Sequence, residues 1–362
     1  MLADSKKISI RQTVFIFLLI IFSPAVRLIP SYCAERAEQA AWLAPFPALA
    51  LFSLLVLVWH AIYKKHENNT LMDIYCDIVG KIPGMILSVL YLAWLILLTA
   101  LYVRYSSIRL VVSVYPNVSI NIFSFSLLAV IAYTLRYGLT TLARLSEIVQ
   151  PIIGGTFVIL VLLMIPNLKP EFLTPITYRD ILPVLEGSVS IIGLVAYFSF
   201  MFILGDRINN KEAIRKTGLQ AVVFFLIVLP ALLGITIGSF SSSVVARTQL
   251  PFLIAVKEIS LFNTIEKIES ITVVLWIASD IVLISAFTLC AMNILKWLFK
   301  LTDAKPLISI YLLLLFISSS YLVQDLFELQ KLSEVLFLPG NIILGFAIPV
   351  LMFLIGKIRR KV

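Results

Sequence analysis

The sequence predicts an all-α polytopic membrane protein, and this prediction depends on composition and on the spacing of the charges. Of the 362 residues, 60% are hydrophobic and 14% are charged, whereas about 25% of residues are charged in an average soluble domain. The mean hydropathy is +1.03. Long apolar runs alternate with short basic segments, which is typical of a protein that crosses a membrane repeatedly. These features exclude a soluble enzyme, a disordered protein, a disulfide scaffold and a free nucleic-acid-binding protein.

Ten apolar runs are long enough to cross the hydrocarbon core, which takes roughly 20 helical residues. They lie at about 9–30, 42–63, 84–112, 118–136, 139–166, 186–205, 216–239, 268–300, 306–322 and 336–357. The third, fifth and eighth are longer than needed and are expected to tilt or to project from the bilayer. The first follows Lys6 and Lys7, but it is long for a signal peptide and no small-residue cleavage site follows it. We therefore interpret it as a retained span.

The distribution of basic residues predicts the orientation of these spans. If the N-terminus is cytoplasmic and the spans alternate, 18 of the 29 Lys and Arg residues fall on the cytoplasmic side, 8 outside and 3 within spans. Cytoplasmic loops are enriched in Lys and Arg. Both termini are therefore predicted to be cytoplasmic.

The chain is predicted to be a single transmembrane domain, 1–362, without a soluble domain. Ten spans divide into two repeats of five, about 9–166 and 186–357, as in transporters built from inverted repeats. The longest connections are 167–185 and 240–267. The second includes an apolar stretch at 250–259, for which a short helix over the outer face and a structured loop are both open.

In a LeuT-like inverted repeat the first helix of each half is broken at mid-membrane, so spans 1 and 6 are expected to be interrupted. Pro24 in span 1 removes a backbone donor and clashes with the preceding turn. Gly193 is the corresponding opening point in span 6. Unpaired backbone groups are tolerated at membrane depth where they line a cavity, so these two positions predict a binding site between the spans.

Charged residues within the spans are costly and usually face the protein interior. Arg104 and Arg109 lie on span 3, and Arg144 and Glu147 on span 5. The spacing of three between Arg144 and Glu147 predicts a structural ion pair, although Arg144 near the end of its span also suits an interfacial position.

Asp280 lies midway along span 8 and is the most informative of these residues. It suits a structural ion pair with a buried Arg, coordination of a cation, or binding of a ligand amine. No spacing selects its partner, and Arg104 is one candidate.

No motif for covalent chemistry is present in the sequence, which has no Gly-rich phosphate loop, nucleophile elbow or HExxH. The prediction is that the protein is not an enzyme and needs no cofactor. Its three Cys and two His residues have no metal-binding spacing, so no metal site is predicted.

Two segments resemble a known family. The run 265–271 reads IEKIESI and is followed by VLWI at 274–277; it is similar to an I-E-R-x-E-S…W-I segment at the start of span 8. The run 137–148, YGLTTLARLSEI, is close to a G-L-x-x-x-x-R-x-x-E pattern at the start of span 5. Arg104 also lies where the family often has Arg. The chain thus resembles the B subunits of spore nutrient-germinant receptors, the GerAB-type spore germination proteins of the amino acid/polyamine/organocation superfamily.

The resemblance implies a LeuT-type fold and a subunit that binds a small germinant, an amino acid above all, at mid-membrane. It also implies partner A and C subunits in the inner membrane of the spore. By position it selects a ligand-binding set to which Asp280 is added from the charge argument: Ser23, Ala25, Arg27, Arg104, Gly193, Tyr197, Ser199 and Asp280.

The sequence departs from the family in span 1, where relatives often have a Gly-rich break whose amides receive a carboxylate. Here Pro24 supplies no amide donor, and Arg27 adds a cation able to receive a carboxylate in a two-pronged contact.

Two functions remain open at the sequence level. One is a signalling subunit, in which ligand binding shifts a two-state membrane protein, and the alternative is a secondary amino-acid transporter.

Overall fold

The computed structural model describes residues 7–113, 117–259 and 269–362. The helices in these ranges are α1 (Ile10–Ala37), α2 (Pro45–Tyr63), α3 (Leu71–Val79), α4 (Lys81–Ser113), α5 (Ile120–Arg136), α6 (Gly138–Met164), α7 (Ile181–Val195), α8 (Tyr197–Met201), α9 (Ile214–Phe240), α10 (Ser242–Arg247), α11 (Pro251–Lys257), α12 (Glu269–Leu298), α13 (Leu307–Leu322), α14 (Leu326–Leu332), α15 (Leu338–Ile342) and α16 (Ile348–Ile358). Two-residue strands β1 (Ile8–Ser9) and β2 (Ile208–Asn209) pair in parallel.

The described helices follow the predicted apolar runs closely. Eight helical segments are long and apolar enough to cross a membrane, and two shorter apolar helices, α5 and α13, correspond to the fourth and ninth runs. The chain is therefore a multi-pass integral membrane protein. The count of ten crossings and the division into repeats of about 9–166 and 186–357 stay predictions.

The sequence did not predict α3 and α10, because each is too short to show a clear apolar period. At 250–259 the structure selects the helical alternative: α11 packs against α1, α6, α9 and α12. Its Phe252 and Val256 are buried. Of the motif at 265–271, residues 265–268 lie outside the described residues.

Both chain termini lie at one end of the helical bundle, which we call the terminal end. Lys7 Nζ donates to Asn68 Oδ1 at 3.2 Å, and Lys361 Nζ donates to Asp77 Oδ1 at 2.9 Å. The β1–β2 pair joins the start of the chain to the segment after α8 at the same end. This arrangement fits an even number of crossings, while the side of the membrane that the terminal end faces stays a prediction.

Helix α1 lies at the centre of the bundle, where it packs against α6, α7, α9, α10 and α12. It is continuous from Ile10 to Ala37, so the predicted interruption of span 1 does not appear. The ladder of α1 is nevertheless opened locally by Ser279 of α12. Ser279 Oγ donates to the carbonyl of Leu19 at 2.6 Å and accepts from the N–H of Ser23 at 3.3 Å.

This contact of Ser279 lies next to Pro24, one of two prolines inside α1. Leu19 and Ser23 are four residues apart, so their backbone groups would otherwise bond directly to each other. Pro24 has no N–H and leaves the next carbonyl without its helical donor. An inserted side chain is a recognised cause of local distortion in a helix. Ser279 bonds to the backbone groups of Leu19 and Ser23, immediately before this position, and α1 continues as a helix through Pro24.

The sixth span is interrupted, but not at Gly193. Helix α7 ends at Val195, Ala196 forms a turn, and α8 is followed by a 3-10 segment at Phe202–Arg207. Gly193 lies inside α7, where a Cβ atom would come within 2.3 Å of Leu338 Cδ1. Its small size therefore allows α15 to approach, and the non-helical backbone conformation of this span lies further on, at Leu204.

Side chains satisfy the carbonyls freed after this turn. Cys290 Sγ donates to the carbonyl of Phe200 at 3.4 Å, and Asn293 Nδ2 donates to that of Ile203 at 2.8 Å. The Tyr63 hydroxyl donates to the carbonyl of Phe202 at 3.3 Å. In a membrane such groups must find partners within the protein, so α2 and α12 hold the interrupted segment in place.

The last span also departs from a regular α-helix. It runs through α14, α15 and α16, which are joined by π-helical turns at Ser333–Phe337 and Ile343–Ala347. π-Helical turns loosen the backbone ladder and occur frequently at functional sites. The second turn exposes the carbonyl of Leu344 to the Tyr91 hydroxyl and that of Gly345 to Ser199 Oγ, at 2.5 Å.

Candidate functional site

Asp280 lies in a buried ionic cluster between α1, α4 and α12. Its Oδ2 forms an ion pair with Arg109 Nη2 and accepts a hydrogen bond from Ser106 Oγ at 2.6 Å. Arg109 Nη1 donates to Ser23 Oγ at 2.8 Å. Arg109 and Asp280 are both almost completely buried. The cluster therefore connects the locally opened turn of α1 to the two helices beside it.

Of the three roles that the sequence leaves open for Asp280, the structure shows an ion pair with a buried Arg, formed through Oδ2. Arg104, the candidate partner from the sequence, does not form an ion pair with Asp280; Arg109 does. Arg104 and Arg109 are five residues apart, so their side chains leave α4 about 140° apart around the helix axis. Ser106 and Arg109, three apart, share the face that meets Asp280.

Arg104 instead holds the opposite face of α4 to other helices. Its Nε donates to the carbonyl of Val323 at 2.7 Å, and its Nη1 donates to Asn121 Oδ1 at 3.2 Å. Val323 follows the end of α13 and Asn121 lies in the first turn of α5. Arg104 is thus remote from the ionic cluster and ties two helix ends to α4.

The predicted ion pair between Arg144 and Glu147 is not formed among the described residues. Arg144 is exposed on α6, and Glu147 Oε2 accepts from Gln12 Nε2 at 3.2 Å. The spacing of three permits a pair, but Gln12 of α1 competes for the carboxylate from across the helix interface. The exposed Arg144 fits the alternative of an interfacial position.

A second buried cation, Arg27 of α1, has a different environment. It is 6% exposed, and its guanidinium lies 3.8 Å from the ring centre of Tyr105. Among the described residues no group accepts a hydrogen bond from its Nε or Nη2. A buried polar group without a partner is costly, so Arg27 is the group in this bundle most in need of an anionic partner.

Arg27 borders a small cavity that we call the central cavity. Its polar lining comes from α1, α4, α7–α8 and the α14–α15 region, and its remaining wall is apolar. The lining residues are Arg27, Leu28, Tyr32, Leu98, Leu101, Tyr102, Ser190, Gly193, Leu194, Tyr197, Ser333, Glu334, Phe337, Leu338 and Asn341. Such a wall, mostly apolar with a few convergent polar groups, is typical of small-molecule sites.

A chain of hydrogen bonds fixes one side of the central cavity. The hydroxyls of Tyr102 and Tyr197 lie 2.7 Å apart, and Asn341 Nδ2 donates to the Tyr197 hydroxyl at 3.1 Å. Trp94 Nε1 donates to Asn341 Oδ1 at 3.0 Å. This chain of hydrogen bonds links α4, α8 and α15.

The cavity is small. Its volume of about 30 Å³ is room for roughly two water molecules. A neighbouring cavity shares Arg27 and Glu334 and extends toward Gln249 and Gln330. Glu334 is half-buried and is not ion-paired with Arg27 in the described structure. A cation and an anion therefore border the same space without neutralising each other.

The structure brings only part of the predicted binding set together. Arg27, Gly193 and Tyr197 line the central cavity, whereas Ser23 and Asp280 belong to the ionic cluster. Ser199 is fully buried between Trp59 and Gly345.

Ala25 and Arg104 lie elsewhere. Ala25 borders a separate apolar cavity between α1, α6 and α9. Arg104 bonds to Val323 and Asn121 on another face of α4. Five residues of the predicted set do not line the central cavity: Ser23, Ala25, Arg104, Ser199 and Asp280.

Sequence reasoning missed six polar residues of the cavity: Tyr32, Tyr102, Ser190, Ser333, Glu334 and Asn341. Tyr102 shares a face of α4 with Tyr105 and Arg109, which is a signal that the helical period supplies. Glu334 carried no such signal because the tenth apolar run was placed at about 336–357, after this residue. Asn341 carried none because the π-helical turns shift the helical register of the last span. For metals, the described residues hold no group of three His, Cys, Asp or Glu side chains able to bind an ion.

Comparison with known proteins identifies the family. The family described as "Spore germination protein" matches residues 7–325. Of proteins from Bacillus subtilis (strain 168), spore germination protein KB is 22% identical over 274 residues, covering 74% of this chain and 72% of that protein. Spore germination protein YndE is 23% identical over 283 residues, covering 76% and 77%. Putative spore germination protein YfkT is 19% identical over 354 residues, covering 97% and 96%.

Solved structures show the fold. Mhp1, a nucleobase-cation-symport-1 family transporter in a closed conformation with bromovinylhydantoin bound, superposes with a TM-score of 0.67 at 13% identity, over 96% of this chain and 78% of that one. MhsT in complex with L-phenylalanine gives 0.67 at 12% identity, over 99% and 98%. This chain therefore has the LeuT-type fold of these transporters. Since the family match extends over most of its length, the protein belongs to the spore germination protein family.

Proposed function

We propose that this protein is the membrane-embedded subunit of a spore nutrient-germinant receptor that binds a small germinant, an amino acid, in the central cavity. The observation that carries the proposal is the buried Arg27 guanidinium, whose Nε and Nη2 have no partner among the described residues. A carboxylate can accept from both nitrogens in a two-pronged, charge-assisted contact. Binding would then remove the cost of leaving those donors unpaired.

The rest of the cavity suits the other groups of an amino acid. Glu334, on the opposite helix, offers an anion to an α-ammonium group. The leucine side chains of α4 and α7, together with Phe337, offer an apolar surface to an aliphatic side chain. Tyr197 and Asn341 supply hydroxyl and amide groups for a polar contact. The arrangement favours a zwitterion over a sugar, which presents no charge to Arg27.

The small size of the cavity connects ligand binding to a movement of the helices that line it, and this movement is the proposed signal. A space of about 30 Å³ does not hold an amino acid, so binding requires that α14–α15 move away from α1 and α7. The π-helical turn at Ser333–Phe337 lies in this wall. A ligand shifts such an equilibrium only by its difference in affinity for the two states, and moving from 1:99 to 99:1 takes roughly 5.5 kcal/mol.

We further propose that the moving wall acts on receptor A and C subunits in the spore inner membrane, with the terminal end of the bundle in the cytoplasm. The proposal is supported by the match to spore germination protein KB and by the excess of basic residues at that end. The protein is proposed to have no enzymatic role.

The test measures binding and response with the same variants. Arg27→Met should abolish equilibrium binding of a labelled amino-acid panel in proteoliposomes and remove the germination response of spores, while Arg27→Lys should retain part of both. Arg11→Met, on the same helix but at the terminal end, is the matched control. Normal binding by Arg27→Met would move the site away from the central cavity.

The same proteoliposomes separate the receptor from the transporter. Saturable binding without accumulation of label is expected for the proposed sensor. Concentrative uptake that requires an ion gradient would show the alternative, a secondary amino-acid transporter.

A further inference from the structure

The largest cavity described in the bundle is not the central one but an open space at the terminal end, between α3, α4 and the end of α12. It has a volume of about 710 Å³. We call it the basic cavity because Lys81, Lys296 and Lys300 border it. Nothing in the proposed germinant site uses it.

The three lysines are held there by the way their helices begin and end. Lys81 is the first residue of α4, and α12 ends at Leu298. Beyond it the N–H of Leu301 donates to the carbonyl of Lys296 at 3.0 Å, and Lys300 adopts a φ of 52°. This pattern closes a helix with a left-handed residue, and it places Lys300 four residues after Lys296 at the same opening.

These amines are not used inside the protein. In the described ranges none of the three forms a hydrogen bond or an ion pair, although two carboxylates border the same cavity. Asp73 is occupied: it accepts from Trp297 Nε1 at 2.7 Å and caps the start of α3. Asp206 accepts from Asn293 Nδ2 at 3.4 Å. The cavity therefore presents an excess of free positive charge.

The position of the cavity indicates what meets this charge. Met85 borders it and is 41% exposed, and one turn earlier Ile82 is 74% exposed on α4. Phe299, which lies between Lys296 and Lys300 in the sequence, is 68% exposed. Large apolar side chains on the outside of a membrane-spanning helix face lipid, and an indole such as Trp297 is typical of the interface. The basic cavity thus opens at the boundary between hydrocarbon and water.

We infer that the basic cavity binds the phosphate headgroup of an anionic glycerophospholipid, with the acyl chains lying along the exposed apolar face of α4. Basic pockets between membrane helices bind anionic headgroups by this combination of charge and depth. A soluble phosphate compound satisfies the lysines alone, but it leaves the apolar rim at Ile82, Met85 and Phe299 without a role.

The experiment uses the purified full-length chain in neutral detergent and native mass spectrometry, with phosphatidylglycerol and phosphatidylcholine as probes. The wild type should retain one phosphatidylglycerol in preference to phosphatidylcholine. The double variant Lys296→Gln/Lys300→Gln should weaken phosphatidylglycerol binding roughly 30-fold, from about fivefold per lysine, and leave phosphatidylcholine unchanged. The double variant Lys296→Arg/Lys300→Arg keeps both charges and should retain the preference for phosphatidylglycerol. This result excludes a folding defect at these two positions as the cause of the loss in the Gln variant.

A matched control removes the same charge outside the cavity. Lys64→Gln/Lys216→Gln changes two exposed lysines near the terminal end and should leave the preference intact. An equal loss in this control would overturn the site in favour of general surface charge. Displacement of the lipid by equimolar glycerol phosphate would show a soluble-phosphate site instead, and failure of the wild type to distinguish the two lipids would also overturn the inference.

Discussion

Arg109 of α4 and Asp280 of α12 form an ion pair that is almost completely buried. The pair does not stand alone, because Ser106 donates to the same carboxylate and Ser23 accepts from the same guanidinium. It lies beside the turn of α1 that Ser279 opens. The relationship connects three helices beside the turn of α1 whose backbone groups bond to Ser279.

Removing one partner of this pair should destabilise the protein more than removing both. Asp280→Leu or Arg109→Met alone leaves an uncompensated buried charge, with an expected cost of about 3–5 kcal/mol. The double variant should cost less than either single change. Thermal unfolding in detergent, analysed as a double-mutant cycle, measures the coupling. Arg104→Gln combined with Asp280→Leu is the control, for which additive effects are expected.

Glu334 should determine the preference for an ammonium group. Glu334→Gln preserves the shape of the side chain and its bond with Gln330 but removes the charge proposed to face the germinant. We expect weaker binding of amino acids by about tenfold or more, in line with a charge-assisted hydrogen bond of about 1.5–3 kcal/mol. Binding of the corresponding desamino acid should be unchanged. Equal losses for both ligands in proteoliposome binding would contradict this role.

Ser199 should prove structural. Its Oγ donates to the carbonyl of Gly345 at 2.5 Å and accepts from Trp59 Nε1 at 2.8 Å. Ser199→Ala leaves both groups unpaired in the core, which costs about 1–3 kcal/mol. A lower melting temperature with unchanged germinant affinity is expected. Ser53→Ala, which removes only a bond to the carbonyl four residues earlier in α2, is the control and should change little.

Two glycines should respond oppositely to the same substitution. A Cβ atom at Gly345 would lie 2.5 Å from the carbonyl oxygen of Ala196, at the turn of the sixth span. Because that atom belongs to the backbone, Gly345→Ala should separate the two spans and lower the melting temperature. Gly234 in α9 has open space around it, so Gly234→Ala should stabilise the helix by about 0.5–1 kcal/mol. Stabilisation in both would show that the turn tolerates movement.

Asp77 should make a small part of the stability depend on pH. Its hydrogen bond from Lys361, with a further contribution from His66, holds the pKa of the carboxyl below its usual value. A lowered pKa in the folded state means that the stabilisation is complete above the ordinary Asp value, near 4, and is lost as the pH falls through the folded value. The gain should be about 1 kcal/mol or less because the pair is half exposed.

The measurement for Asp77 compares the melting temperatures of wild type and Asp77→Asn between pH 2.5 and 7. The difference should be present at pH 7 and vanish at the acid end, and it should shrink in high salt. Glu212→Gln, an exposed change near the same end, should show neither trend. A difference that grows toward acid would contradict the assigned direction.

The fold was largely accessible from the sequence because each long apolar run can satisfy its backbone only as a helix within a membrane. The predicted runs and the described helices agree closely for this reason. The site was less accessible. The sequence singled out Gly193 and Pro24 as break points, yet Gly193 lies inside α7, which ends at Val195, and α1 continues through Pro24. Whether such a residue breaks a helix depends on neighbouring side chains such as Ser279, which sequence spacing does not reveal.

By itself, the sequence determined the class of protein, the positions of the apolar helices, the family resemblance and the presence of charges that must face inward. Only the tertiary structure decided how those charges are used. In the structure Asp280 pairs with Arg109, and Arg104 bonds to the ends of two neighbouring helices. Arg27 lies beside the central cavity. The physical reason is that the hydrophobicity of a helix depends on its own residues, whereas an ion pair depends on how two helices are rotated toward each other. Here the two partners, Arg109 and Asp280, are 171 residues apart in the sequence.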